Sequence, residues 1–332
     1  MNGAYGEYTI VCARTAGEKQ QSLIRDHYEH LDYIETNAIR ELLFYRTVRH
    51  PNLMSAEQCR VSVQRVAIRM PAAHVDLSTW LRRSRSRRAR LHHGHTIMRD
   101  VARALEFMHE NGMAHGDLKP SNVVLDFHDK QAHARLIDFG TVQWQAEMDG
   151  AMRYRRAMTT FWYVAPEDVV HDIQGPAADI WAFGLIMLSY WTGWTPLRFD
   201  SYEEARRWYR ANPIPINLDL VKKLPGRILA LIRRMLDPQP QTRATAAEVL
   251  SALDSTPVPG TIREISRSHT ELAALLAAGT RGRAVDIECA NQIARAVFDP
   301  WYEFFVSDIA REVEATPRTI RSAITSIVRN LP

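Results

Sequence analysis

Two carboxylates, an amide and an ammonium group fall close together in the middle of the 332-residue chain. The segment His115-Gly-Asp-Leu-Lys-Pro-Ser-Asn122 holds Asp117, Lys119 and Asn122, and an apolar triplet, Val123 to Leu125, follows it. Asp138 comes sixteen residues after Asn122, inside Leu136-Ile-Asp-Phe-Gly140. Carboxylate and amide oxygens are the donors that a hard divalent cation takes up beside phosphate oxygens. A lysine two residues from a carboxylate adds a compact positive charge. Asp, Asn, Gly and Pro are equally the residues of turns between strands. The residue types alone therefore leave a plain connecting-loop reading open.

Order and spacing set that reading aside. Ala165-Pro-Glu167, Asp179-Ile-Trp-Ala-Phe-Gly184 and then Arg243 follow the first two blocks. Each piece is weak by itself, but five in this sequence are not accidental. Together they resemble the eukaryotic protein kinase family, of the Ser/Thr type, over roughly residues 1–252. The resemblance implies an α+β, bilobal protein-kinase fold: a small β-rich N-lobe with its one helix, a large mainly helical C-lobe, and a C-terminal helical extension. The expected boundaries are a kinase-like domain over 1–255 (N-lobe 1–70, hinge 71–75, C-lobe 76–255) and an extension over 256–332.

The resemblance also implies a chemistry, transfer of the γ-phosphoryl group of ATP, with Mg2+, to Ser or Thr hydroxyls of a protein substrate. Such transfer asks a protein mainly for positioning and charge neutralisation. Asp117 matches the catalytic Asp that orients the hydroxyl and accepts its proton, and Lys119 would reach the γ-phosphate. Asn122 and Asp138 match the two metal ligands, and Thr160 the Thr that bonds the catalytic Asp and Lys. Glu167 and Arg243 match a buried ion pair that fastens the segment after the activation loop. Asp179 matches the residue that holds the catalytic loop by its backbone amides.

The small lobe departs from the family pattern. Gly3-Ala-Tyr-Gly-Glu-Tyr8 reads as the end of a Gly-rich loop, with Gly3, Gly6 and Tyr8 near the phosphates and Met1 where the first glycine should stand. A glycine pair near a terminus also reads as a flexible end. Ser22-Leu-Ile-Arg25 aligns with the family's Val-Ala-Ile-Lys, so Arg25 takes the place of the phosphate-binding lysine, with Lys19 as its rival. Glu41 is the pairing acid. Arg keeps the charge but favours bidentate pairing over a phosphate contact. Met70 would be the gatekeeper, with Pro71, Ala72 and Ala73 along the adenine edge and Val124 beneath it. The Met-Pro pair looks somewhat like hinges of large-DNA-virus kinases.

Several elements must hold these groups in place. One helical stretch, Tyr33 to Val48, precedes a mainly helical region, and the apolar run Ile180 to Trp191 is too short to span a bilayer. Ser255-Thr-Pro-Val-Pro-Gly260 reads as a linker. Beyond it, Leu272, Leu275, Leu276 and Ile320, Ile324, Ile327 recur at helical spacing, and Asp299-Pro300 and Thr316-Pro317 look like helix starts. This segment carries nine Arg against nine acidic residues, which is not the charge of a nucleic-acid tail. Its cluster Trp301, Tyr302, Phe304, Phe305 is expected to seat it on the large lobe or a second protein.

Composition is that of a globular chain, 46% hydrophobic and 24% charged with a net charge of +4, so nucleic acid is not an expected partner. Three scattered Cys and no secretory signal point to an intracellular protein, cytoplasmic or nuclear, with no membrane partner. The one strong charge cluster, Arg82 to Arg90, packs six Arg into nine residues of an expected loop. It reads as a solvated surface, an import signal or a patch for an acidic partner. His92-His-Gly-His95 beside it is a weak metal candidate. His115-Gly116-Asp117 lacks the Arg that normally receives an activation-loop phosphate, so that switch is expected not to operate. Three functions compete: an active Ser/Thr kinase, a pseudokinase scaffold, and a small-molecule kinase of similar fold.

Overall fold

Val66, Ile68 and Met70 are buried, while Arg65, Ala67 and Arg69 between them are exposed or half-buried. That period of two makes a strand with one face on a core. The computed structural model describes residues 2–3, 6–9, 17–22, 24–26, 32–34, 36–62, 65–84, 87–129, 131–145, 161–171, 173–193, 195, 197–212, 216, 218, 224–253, 259–262, 268–280, 282–298 and 306–331. Its first part opens with β1 (Asn2–Gly3), β2 (Gly6–Thr9) and β3 (Gly17–Ser22), followed by a separate ribbon of β4 (Ile24–Asp26) and β5 (Asp32–Ile34). Helix α1 (Thr36–Thr47) comes next, then β6 (Val48–Arg49), β7 (Gln58–Ser62) and β8 (Arg65–Met70). Five of these strands form an antiparallel sheet in the order β1-β2-β3-β8-β7. Helix α1 buries Ala38, Ile39, Leu42 and Leu43 in the core that Val66 and Ile68 also enter.

After the connection at 71–74, β9 (Val75–Asp76) leads into α2 (Leu77–Arg83), capped where the Asp76 carboxylate accepts the Thr79 N–H at 2.8 Å. Helix α3 (Arg87–Glu110) and β10 (Met113–Ala114) bring the chain to the motif-bearing loop. The hairpin of β11 (Val123–His128) and β12 (Gln131–Leu136) follows, with β9 on its free edge, and β13 (Gln143–Trp144) pairs with β10. The rest of this part is helical: α4 (Pro166–His171), α5 (Pro176–Thr192), α6 (Tyr202–Ala211), α7 (Gly226–Met235) and α8 (Ala246–Ala252). The apolar run read in the sequence is α5, buried from Ala178 to Tyr190, as a helix apolar all round must be. Among the described residues no helix is long and apolar enough to cross a membrane.

Strand β14 (Thr261–Ile262) introduces α9 (His269–Gly279), α10 (Ala284–Phe298), α11 (Val306–Glu312) and α12 (Pro317–Arg329). Thr316 caps α12 and Pro317 opens it, as the sequence suggests. Among the described residues, the helices of this segment meet the large lobe where α10 touches β13, and they lie mainly against the first part of the chain. Helix α10 lies against α1, and α12 lies against β7. The reason is apolar continuity: Ile293, Ala294 and Val297 of α10 and Ile320, Ile324 and Ile327 of α12 share one core with Ile39, Leu42 and Leu43. The aromatic stretch 301–305 and Asp299-Pro300 lie outside the described residues.

The arginine run is not the open loop expected of it. Arg82 and Arg83 close α2, and Arg88 and Arg90 lie in α3. Arg90 is bound to the backbone, donating to the Leu81 carbonyl at 3.2 Å and the Ser84 carbonyl at 3.3 Å. Beside it the His92 and His93 rings lie 4.6 Å apart, and among the described residues no three metal-ligating side chains converge.

Candidate active site

The loop between β10 and β11 is held from below by α5. Asp179, in its first turn, accepts the His115 N–H at 2.8 Å through Oδ2 and the Gly116 N–H at 3.0 Å through Oδ1. His109 Nε2 meets the same Oδ2 at 2.9 Å. The anchoring expected of Asp179 is therefore present in the geometry. The His115 ring accepts the Asp117 N–H at Nδ1 (3.3 Å) and faces the Ile137 carbonyl through Nε2 (3.1 Å). These partners require the tautomer with the proton on Nε2.

Three side chains converge above this base. Lys119 Nζ stands 2.5 Å from Asp117 Oδ2, and Asn122 Nδ2 donates to the Asp117 carbonyl at 2.8 Å. Asp117 and Asn122 are buried, and Lys119 is half-buried. The β11–β12 hairpin then returns the chain: Val123 pairs with Leu136, and the Ile137 N–H donates to the Asn122 carbonyl at 3.0 Å. Asp138 is the next residue, in left-handed backbone with φ 68°. Two hard-oxygen side chains sixteen residues apart in sequence thus end at the same mouth of one hairpin.

Phe139 turns away from that mouth into the core. Its ring stacks on Phe44 at 3.8 Å and meets the edge of Tyr45 at 5.3 Å, with His115 5.7 Å away. The Tyr45 hydroxyl donates to the Met70 sulfur at 3.0 Å. Helix α1, which carries the fully buried Glu41, is therefore packed directly on the residue that follows Asp138.

Glu167 and Arg243 form the bidentate pair expected of them, at 2.5 and 2.9 Å. Arg243 also donates to the carbonyls of Ala177 (2.7 Å) and Asp237 (2.9 Å) and lies 5.1 Å from the centre of the Trp181 ring. Asp168 shares this pocket. Burial, and then the neighbouring Glu167 charge, push its carboxyl well above the usual carboxylate range.

The expected nucleotide contacts are distributed as follows. Met70 and Val124 are buried, and Ala72 and Ala73 are half-buried. Val124 pairs with Asp76 of β9, which brings it beside the hinge. Gly3 and Gly6 face each other across the β1–β2 turn, and Tyr8 pairs with Lys19. Thr160 lies outside the described residues. Strand β3 ends at Ser22, and Arg25 pairs with Tyr33 in the separate ribbon. Lys19, not Arg25, is in the central sheet, opposite Ile68. Gln20-Gln21-Ser22 has no apolar alternation, so sequence pattern does not show where the strand runs.

With this geometry stands a match to the model of the protein kinase domain over residues 2–253, most of the chain. The chain belongs to the protein kinase family. Serine/threonine-protein kinase ULK3 of Homo sapiens is 26% identical to it over 280 residues, which are 84% of this chain and 57% of that protein. CBL-interacting serine/threonine-protein kinase 15 of Arabidopsis thaliana is 26% identical over 216 residues, 64% of this chain and 49% of that protein. Calcium-dependent protein kinase 21 of Oryza sativa subsp. japonica is 31% identical over 154 residues, 46% of this chain and 26% of that protein. The matched stretches thus cover only part of these kinases' own length.

Within the kinase domain, the sequence reading missed a polar group beneath the loop that carries Asp117. Gln174 donates to the Gly116 carbonyl at 2.7 Å and accepts from Gln143 at 2.5 Å, while Thr141 donates to the His115 carbonyl at 3.0 Å. No short motif links 116, 143 and 174, so nothing local could reveal it. Phe44 and Tyr45 were also missed, although their spacing of three and four from Glu41 puts all three on one helical face.

Proposed function

We propose that this kinase is catalytically active and transfers the γ-phosphoryl group of ATP to Ser or Thr hydroxyls of protein substrates. The observation that carries this is the Asp117–Lys119–Asn122 cluster, closed at 2.5 and 2.8 Å and held from below by Asp179. Asp117 orients the substrate hydroxyl and takes its proton as the new phosphate bond forms. Lys119, already against Asp117, supplies positive charge for the oxygens of the transferring group. The donor set fits Mg2+: Asn122 commits its Nδ2 to Asp117, which assigns its Oδ1 to the ion, and Asp138 offers a carboxylate from the adjoining strand end. When bound, Mg2+ would neutralise phosphate charge.

Lys19 is the residue we assign to the α- and β-phosphates, with Glu41 as its pairing acid. Its support is register. Position 19 lies opposite Ile68 in β8, on the sheet face whose β8 members, Val66, Ile68 and Met70, are buried. The alternative pseudokinase reading rests on Arg25 in place of the strand lysine and on the shortened Gly-rich loop. Arg25 pairs with Tyr33 in a different ribbon, which weakens the first of these grounds. We read 1–255 as the catalytic domain and 256–332 as its extension, with adenine between Met70, Ala72, Ala73 and Val124 and phosphates under Gly3, Gly6 and Tyr8. The run Arg82 to Arg90 is the patch for an acidic partner, with Arg82, Arg83 and Arg88 exposed among its described residues.

The test is transfer of labelled phosphate from ATP with Mg2+ to a peptide library. Label should appear on Ser or Thr, and Asp117→Asn should lower the rate about 10²–10⁴-fold. Full transfer by Asp117→Asn, or product confined to phosphotyrosine, would refute the assignment.

A further inference from the structure

The C-terminal segment grips α1 at two points. At its entry, Thr261 pairs with Arg49 and Ile262 with Val48, so the segment begins as a strand added to the end of α1. Gly260 makes that approach feasible: a Cβ there would stand 2.5 Å from both the Arg49 carbonyl oxygen and the Phe107 ring. At its far end, α12 finishes against the same helix. Arg46 Nη1 lies 2.9 Å from the carbonyls of Arg329 and Leu331 and 3.4 Å from that of Val328. The last carbonyls of a helix have no partners within it, and a guanidinium satisfies them and complements the helix dipole. Arg329 returns the contact, donating through Nε to the Val61 carbonyl of β7 at 2.9 Å. Between the two points, α10 lies along α1.

The opposite face of α1 is the one that stacks Phe44 and Tyr45 on Phe139. One route from the extension to Asp138 therefore runs through this helix, gripped outside by Arg46 and committed inside to Phe139, while α10 also touches β13.

We propose that residues 260–331 are a built-in clamp that sets the position of α1, and that Arg46 is a positioning residue for phosphoryl transfer. The clamp works through α1, Phe44, Tyr45 and Phe139 on Asp138. Its kinetic consequence rests on the kinase reading; its conformational consequence does not.

The experiment uses the full chain with Arg46→Ala, Arg46→Lys and Arg329→Ala. Backbone amide exchange is followed over 317–331, 36–47 and 137–142, beside kcat and KM for ATP. Arg46→Ala should speed exchange in all three segments and lower kcat/KM for ATP about tenfold or more, since small misplacements of catalytic groups are costly. Arg46→Lys should restore much of both, because an ammonium can still donate to helix-end carbonyls. Arg329→Ala, which loosens α12 from the β7 side, should act in the same direction and decides the matter if Arg46→Ala does not fold. Faster exchange in 317–331 with 137–142 and kinetics unchanged would overturn the clamp. A wild-type chain with no transferase activity would count against the kinase reading, and the exchange results would still decide the clamp.

Discussion

Gly116 and Thr141 approach so closely that position 116 admits no side chain. Gly116 has φ +81°, and a Cβ built on it would stand 2.6 Å from the Thr141 carbonyl oxygen. Left-handed backbone and a rigid backbone neighbour both oppose an L-residue there. The Gly116 carbonyl is instead tied to Gln174, and through it to Gln143.

This relationship gives the first prediction. Restoring the family's arginine, Gly116→Arg, should destabilise the loop by about 1–3 kcal/mol and reduce turnover rather than create a phosphate-responsive switch. Wild type treated with phosphatase should keep its rate, because Gln174 already holds the loop. Thermal melts and turnover before and after phosphatase are the measurements. A large loss on dephosphorylation would contradict the account.

The second prediction separates Lys19 from Arg25. Lys19→Ala should raise KM for ATP and lower kcat/KM by roughly 10²-fold, as loss of a phosphate-positioning charge does. Arg25→Lys should stay within about twofold of wild type, since Arg25 pairs with Tyr33 outside the central sheet. Initial rates over an ATP series read both. The reverse ranking would return the role to Arg25.

The third concerns the buried pair. The Arg243 side chain has no exposed surface and donates to Glu167, Ala177 and Asp237. Arg243→Ala should cost about 3–5 kcal/mol, because Glu167 would be left buried without its counter-charge. Denaturant unfolding measures it. A loss below about 1 kcal/mol would mean solvent reaches the Glu167 carboxylate.

The fourth is a pH dependence. Glu106 is buried in α3, and burial, followed by its hydrogen bond to Glu110, raises its carboxyl from 4.5 to about 7. Between these two values the folded chain holds a proton that the unfolded chain has released. Stability from this group therefore falls as pH rises from 4.5 to about 7, and the penalty persists above that. Glu106→Gln should remove it, with a gain on the order of 1 kcal/mol at pH 8 and little change near pH 4. Melting temperatures across pH 4–9 should show the two proteins diverging through this window. Parallel curves would place the proton elsewhere.

Much of the site was legible because its logic is local. Asp117, Lys119 and Asn122 lie within one short loop, and a single hairpin between Asn122 and Asp138 must return one beside the other. Residue type and spacing along the chain determined that arrangement. So did the caps: Asp76 before α2 and Thr316-Pro317 before α12 act within one helical turn of themselves. Tertiary structure alone decided the rest. Whether Lys19 or Arg25 enters the central sheet depends on which register against β8 buries a whole face, a choice made by strands more than forty residues apart. Whether the last helices sit on the large lobe or on α1 depends on matching apolar faces and on one guanidinium meeting three carbonyls from the opposite end of the chain. Short spacing encodes turns, caps and motifs. Register and docking follow from burying surfaces whose partners lie far away in sequence.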